Sequence, residues 1–288
     1  MRIGVTGSSG FLGSHLTKAL GQLPDAEAVI LPRTSSGDFP GRDKLRSFVR
    51  DLDLIYHVAD VNRGTDEEIL IGNIETTFNL VEAVKKSGKP SQRIVFASSS
   101  QVYKPVTQSG KVITESHKAE PATLFGVTKK TAEDFIRLSG FDHVILRIAN
   151  IYGPGCRPQY NSVIATFCHL AANGEAIAVD GNGHQGRDFI YIEDAVRAIV
   201  LAGTKREKSV SGVYNIGTGR ATSLRQVIRS IKAGGVEVKA TDTPEADTGQ
   251  NSFALDASRF KKHFGWKPKT VSRTGIKNTL LWFQERKA

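Results

Sequence analysis

The chain has 288 residues, 39% hydrophobic and 24% charged, with a formal net charge of +10, a pI near 9.6 and two cysteines. That length can bury a large core, as one big domain or two closely joined lobes. Its apolar runs are too short to span a membrane, its start lacks a leader pattern, and Cys156 and Cys168 have no metal-ligand spacing. The expectation is a soluble, cytoplasmic protein with reduced thiols, no metal and no membrane partner. The basic residues are scattered in pairs such as Lys85-Lys86, Lys129-Lys130 and Lys261-Lys262, with no aromatic interleaving, so nucleic acid is not the expected partner. A solvated surface and an anionic small ligand explain the charge more simply.

The first predicted element is a strand over 3–5. Gly7, Gly10 and Gly13 follow, then a helical pattern with Phe11, Leu12, Leu16 and Leu20 on one side. Gly7 allows a tight turn, Gly10 lets the backbone approach a diphosphate, and Gly13 lets the helix pack on the strand. The free N–H groups at the helix start then face negative charge. The spacing is G-x-x-G-x-x-G between strand and helix, and it predicts dinucleotide binding by Gly7, Ser9, Gly10, Phe11, Leu12 and Gly13.

A second strand over 29–31 ends in Pro32, Arg33, Thr34 and Ser35, without an acid. An acid there would bind the adenosine ribose hydroxyls and select NAD. Arg33, flanked by Thr34 and Ser35, can instead hold a 2′-phosphate, with Asp38 and Phe39 completing the adenosine end. NADP is therefore expected over NAD; the alternative is a solvated loop arginine.

Further strands are predicted over 54–59, 93–97 and 144–148, with helices over 67–86 and 128–139 between them. This alternation predicts an α/β fold, a Rossmann-type doubly wound parallel sheet. Ligands in such sheets lie at the carboxyl ends of the strands, where Gly7, Ala59, Ala97, Ser99, Ile148 and Asn150 fall. Beyond Asn150 come a turn at 152–155, a helix over 161–173, a polar glycine-rich stretch over 181–187, a strand-to-helix pattern over 189–201, a strand over 213–216, and two or more helices after Ser223. The expected organisation is a dinucleotide-binding domain of 1–152 plus 188–217, the latter returning to the sheet. A smaller, discontinuous substrate lobe is expected over 153–187 plus 218–288.

Six motifs in order carry a family resemblance. They are Thr6-Gly7-x-x-Gly10-x-x-Gly13, the 53–59 strand, Asn73-x-x-x-Thr77-x-Asn79, Ser98-Ser99-Ser100-Gln101-Val102-Tyr103, the 146–154 segment, and the segment from Arg187 to Asp194. Together they resemble the extended short-chain dehydrogenases/reductases of the sugar-nucleotide epimerase, dehydratase and reductase group, over nearly the full length. The resemblance implies a Tyr-x-x-x-Lys pair on one helix. The tyrosine exchanges a proton with the substrate oxygen, and the lysine lowers its pKa and holds the nicotinamide ribose. Four-residue spacing puts both on one helix face. It also implies that Ser99 shares the substrate oxygen, that Asn62 and Ser100 line the substrate, and that Asn150 and Arg187 contact its diphosphate.

The matching helix keeps Lys129 but has Phe125 at the tyrosine position, a ring with no proton to give. Three explanations fit: a deliberate change that slows turnover, a natural variant using another acid such as Ser99, or a binding protein without catalysis. Intact Ser99 and Lys129 favour the first two. The short stretch from Leu31 to Asp53, and Asp60-Val61-Asn62-Arg63 followed by Gly72-Asn73, resemble NADP-linked 4-keto sugar reductases. Reduction of a nucleotide-linked 4-keto sugar is thus expected, against an epimerase or dehydratase that recycles its cofactor, or a silent dinucleotide-binding protein. The group's arginine after Pro-Gly-Asp has no counterpart in the 244–250 stretch, so the nucleotide is held differently or the substrate is not a nucleotide sugar. The resemblance also implies a homodimer through the helices over 67–86 and 128–139.

Overall fold

A computed structural model describes residues 1–34, 39–160, 162–205, 210–243 and 252–286. In chain order its strands are β1 (Arg2–Thr6), β2 (Glu27–Ile30), β3 (Leu54–His57), β4 (Arg93–Ser99), β5 (Lys111–Ile113), β6 (Asp142–Ile148), β7 (Asn150–Tyr152), β8 (Ile177–Asp180), β9 (Gly186–Tyr191), β10 (Gly212–Ile216), β11 (Ala221–Ser223), β12 (Ala240–Thr243) and β13 (Phe253–Leu255). The helices are α1 (Phe11–Leu20), α2 (Arg42–Val49), α3 (Asp66–Leu70), α4 (Thr76–Ser87), α5 (Leu124–Leu138), α6 (Val163–Asn173), α7 (Ile192–Thr204), α8 (Leu224–Lys232), α9 (Ser258–Phe264) and α10 (Ser272–Gln284).

Six strands form a parallel sheet in the order β2-β1-β3-β4-β6-β10. The strands are apolar on both faces because helices cover both. Leu54, Tyr56, Val95, Ala97, Val144 and Leu146 bury towards α1 and α7. The alternate residues Ile55, Ile94, Phe96 and Ile145 bury against Leu45, Leu80, Val84 and Ile136 from α2, α4 and α5. The chain runs from β1 outwards to β2, then returns to the other side of β1 for β3. That reversal opens a crevice above the carboxyl ends of β1 and β3, the place where such sheets take ligands.

The rest of the chain builds a second layer over those ends. Its sheet runs β11-β9-β13-β5, with β7 paired to β9, and α6, α8 and α10 pack beside it. Phe189 to Tyr191 belong to β9 of this second sheet, whereas β10 is the segment that returns to the main sheet. Both stretches are apolar and β-branched, so composition alone does not separate them. What commits β9 is its pairing with β7 and β11.

Helical boundaries shift for local reasons. The helix expected over 128–139 begins at Leu124, because the Thr123 hydroxyl accepts the Gly126 N–H and caps it. The helix expected over 67–86 is interrupted by a π turn at Ile71–Glu75 between α3 and α4. Both cysteines are free and buried. No helix among the described residues is long and apolar enough to cross a membrane.

Candidate active site

The glycine turn is built by close approach. Gly7 has φ +73, and a side chain there would place its Cβ 2.6 Å from the Ala59 backbone beyond β3. A Cβ on Gly13 would lie 2.0 Å from the Gly7 carbonyl, so α1 packs directly on the turn. The Gly10 N–H donates to the Gly7 carbonyl at 3.0 Å, and α1 starts with no side-chain cap. Its first N–H groups therefore open on the crevice, a geometry that suits a diphosphate. Ser9 and Gly10 are exposed on the rim, while Phe11 and Leu12 are partly buried beneath it. The His15 ring meets the Phe11 edge, and its Nε2 lies 2.9 Å from the Pro154 carbonyl, tying α1 to the second layer.

Ala97 and Ile148 are buried at neighbouring strand ends. Arg33 is exposed just past β2, next to Thr34, and Phe39 packs partly buried against the α2 side of the core. Ser35 and Asp38 lie outside the described residues.

Lys129 projects from α5 between two rings, its Nζ 4.6 Å from the Phe96 centroid and 5.7 Å from that of Phe125. The Asp60 carboxylate lies 3.3 Å from the same nitrogen. Ser99 ends β4, and its Oγ accepts the Gln101 N–H at 3.1 Å, which leaves its proton for another acceptor. Asn73, in the π turn, holds the loop that carries Asp60 and Asn62. Its Oδ1 accepts the Val61 N–H, and its Nδ2 donates to the Val61 carbonyl and to Thr128 Oγ1. Asn62, half-buried, is placed by that clamp.

His57 sits below, between the Thr6 and Thr77 hydroxyls at 2.7 and 2.9 Å. Burial, then the charge of Lys129, pushes its pKa down to about 3, so the ring is neutral and structural. Tyr103 does not replace the missing phenol. Its hydroxyl donates to Asn215 at 2.6 Å, its ring lies under Arg147, and burial raises its pKa.

On the second-layer side lies a cavity of about 150 Å³, lined by residues that include Ser100, Gln101, Tyr103, Asn150, Arg187 and Phe253. Of the sequence candidates for substrate contact, Ser100, Asn150 and Arg187 line it; Ser99 and Asn62 do not. Burial works against the charge of the Arg187 guanidinium, a cost that an anion beside it would offset.

Sequence reading passed over Asp188. Its buried carboxylate accepts the Thr218, Gly219 and Leu255 backbone N–H groups and the Thr218 hydroxyl. It thereby fixes β9, β13 and the turn after β10, and so the backbone that carries Arg187. Burial raises its pKa against the pull of those donors. An acid between Arg187 and the apolar Phe189 to Ile192 run, at the head of a strand, is the signal that marks it.

This fold and glycine turn define a doubly wound dinucleotide-binding class. The chain belongs to the NAD dependent epimerase/dehydratase family, whose profile matches residues 3–217. It is 28% identical to a putative UDP-glucose 4-epimerase of Methanocaldococcus jannaschii, over 97% of both chains. It is 33% identical to a UDP-2-acetamido-2,6-beta-L-arabino-hexul-4-ose reductase of Pseudomonas aeruginosa, over 69% of this chain and 49% of that one. Among solved structures, MoeE5 in complex with UDP-glucose and NAD matches with a TM-score of 0.87 at 27% identity, covering 100% of both chains. The UDP-glucose 4-epimerase of Thermotoga maritima with UDP-glucose matches with a TM-score of 0.87 at 26% identity, covering 99% of both.

Proposed function

We propose that the protein is an NADP-preferring reductase of a nucleotide-linked 4-keto sugar. The observation that carries this reading is the meeting of two half-sites. The glycine turn and Lys129 lie on the sheet side, and the cavity with Asn150 and Arg187 lies on the other, with Ser99 and Ser100 at their junction. The Asp60 to Arg63 segment and the similarity to the reductase named above favour reduction.

In this reading Gly7, Ser9, Gly10, Phe11, Leu12 and Gly13 hold the diphosphate of the dinucleotide. Arg33 and Thr34 face its 2′-phosphate, and Ala59, Ala97 and Ile148 line its path. Lys129 holds the ribose next to the nicotinamide. The bound nicotinamide supplies hydride to the sugar carbonyl carbon. Ser99 donates its hydroxyl proton to the carbonyl oxygen, completing the alcohol, and regains one from solvent, while position 125, a phenyl ring, shapes the site but passes no proton. Arg187 and Asn150 hold the substrate diphosphate, with Asn62 and Ser100 beside the sugar.

The protein is also proposed to work as a homodimer through α3, the π turn, α4 and α5, where Leu70, Ile71, Phe78, Val127 and Leu138 are exposed. Sedimentation velocity reads this directly; a monomer at micromolar concentration would sink it.

The test of function is a panel of UDP-, GDP-, CDP- and dTDP-linked 4-keto sugars with NADPH and with NADH. A reductase consumes one reduced cofactor per sugar converted. An epimerase, the second reading, favoured by similarity to the archaeal relative over 97% of both chains, converts a 4-hydroxy sugar with no net change in cofactor. Dinucleotide binding with no conversion of any sugar would leave only a silent binding protein.

A further inference from the structure

The fit of Asp60 to Lys129 goes beyond what the motifs assign. β3 ends at His57, and Ala59, against which Gly7 packs, comes two residues later. Asp60 therefore stands on the wall of the dinucleotide crevice. Its carboxylate is 39% exposed, whereas the lysine it faces at 3.3 Å is 2% exposed.

The other groups around that ammonium leave its charge unbalanced. His57, from β3, is neutral. Glu133, one turn further along α5, is committed to Arg147 of β6 through two bonds and to Ser98 of β4. Phe96 of β4 and Phe125 of α5 offer only ring faces. Among the described residues, Asp60 is the carboxylate paired with Lys129. A buried ammonium is costly without a counter-charge. A phenol at position 125 could ionise and supply one; a phenyl ring cannot.

We infer that Asp60 has taken over as the counter-charge of Lys129, so that Lys129 acts here as a fixed, charge-compensated donor rather than as the activator of a phenol. The inference rests on reading Phe125 and Lys129 as the two acid–base positions of the proposed site. Its physical content is a weakened field. A lone ammonium lowers the pKa of a nearby phenol, whereas an ammonium paired with a carboxylate presents a dipole whose effect falls off faster. The 125 position is then electrostatically quiet, and restoring the phenol alone does not restore an activated one.

The test uses Phe125→Tyr as a reporter. Ultraviolet difference titration against the parent chain cancels the six tyrosines already present. With Asp60 in place the new phenol should ionise near the ordinary value of about 10. Adding Asp60→Asn should lower its midpoint by about one unit or more, while Asp60→Glu should keep it close to that of the single variant. Identical midpoints with and without Asp60→Asn would overturn the inference.

A second variant avoids any change at Asp60. In Phe125→Tyr with Lys129→Met, the carboxylate is left alone, and the phenol midpoint should rise above its ordinary value. A midpoint that does not rise places Asp60 out of electrostatic reach and also overturns the inference. Neither titration needs a sugar, so an inactive protein can pass it and a failed titration leaves the reductase assay to be judged separately.

Discussion

In the proposed reading, Phe125 is the residue on which activity turns. The phenol added by Phe125→Tyr extends a ring that is already held beside Lys129, so folding should hardly change. A positioned proton donor is worth roughly a hundredfold or more in rate. With Asp60 holding Lys129 paired, the new phenol stays unactivated, so turnover on whichever 4-keto sugar the parent chain accepts should rise by less than that factor, read by cofactor consumption. No gain on any accepted sugar would mean that another group moves the proton. Adding Ser99→Ala then decides whether Ser99 is that group, since residual turnover would vanish with its hydroxyl. In the same reading, two arginines divide the ligands between them. Arg187→Ala should weaken the anionic sugar nucleotide by roughly tenfold to a hundredfold, the worth of a charge-assisted bond, with cofactor affinity nearly unchanged by calorimetry. Arg33→Ala should erase the preference for NADP(H) over NAD(H). Equal affinities in the parent chain would defeat the assignment of the 2′-phosphate to Arg33.

At the scale of elements, the π turn at Ile71–Glu75 is the feature that periodicity could not show. The apolar spacing on either side reads as one helix, and within the turn Asn73 reaches across to Val61 and Thr128. Asn73→Ala would leave the half-buried Val61 N–H and carbonyl without those partners, a loss of about 1 kcal/mol. Urea unfolding should show a lowered midpoint, and Asn62 and Asp60, carried by the same loop, should lose their placement. What was legible locally was the strand–glycine–helix start and the parallel order, since each rests on short-range patterns. The strand ends at Gly7, Ser99 and Asn150 followed from that order. What was not legible depended on contacts distant in sequence. The pairing of β9 with β7, the caging of Asp188 by residues near 218 and 255, and the Lys129–Asp60 pair all join segments that no window spans. The early start of α5 was readable in principle, because Thr123 stands three residues before the Gly126 N–H that it caps.

Across the whole molecule, the buried neutral ring of His57 links stability to pH. Its folded pKa of about 3 lies below the ordinary 6.5. Below pH 6.5 the unfolded chain binds a proton that the folded chain refuses. Stability from this group is therefore full above about pH 6.5 and falls as the pH drops towards 3, with a limiting slope of about 1.4 kcal/mol per pH unit. Urea midpoints at pH 7 and pH 5 should differ in the parent chain. His57→Gln, which keeps a polar group between Thr6 and Thr77, should narrow that difference. An undiminished difference would assign the acid sensitivity to other groups.

The short strand β5 has a mechanical consequence. It leaves the chain between β4 and α5, yet its hydrogen-bonded neighbour is β13, where Phe253 pairs with Lys111 and Leu255 with Ile113. Gly110 donates to the Ser252 carbonyl, and Asp256 to that of Ile113, at the two ends of the same seam. A thread from the first half of the sequence is thus sewn into the sheet of the second. Unravelling the second layer must tug on the segment that leads from Ser99 to Lys129, so the two layers should melt together in one calorimetric transition. For the same reason, two separately expressed pieces divided near residue 152 should not refold into independent bodies.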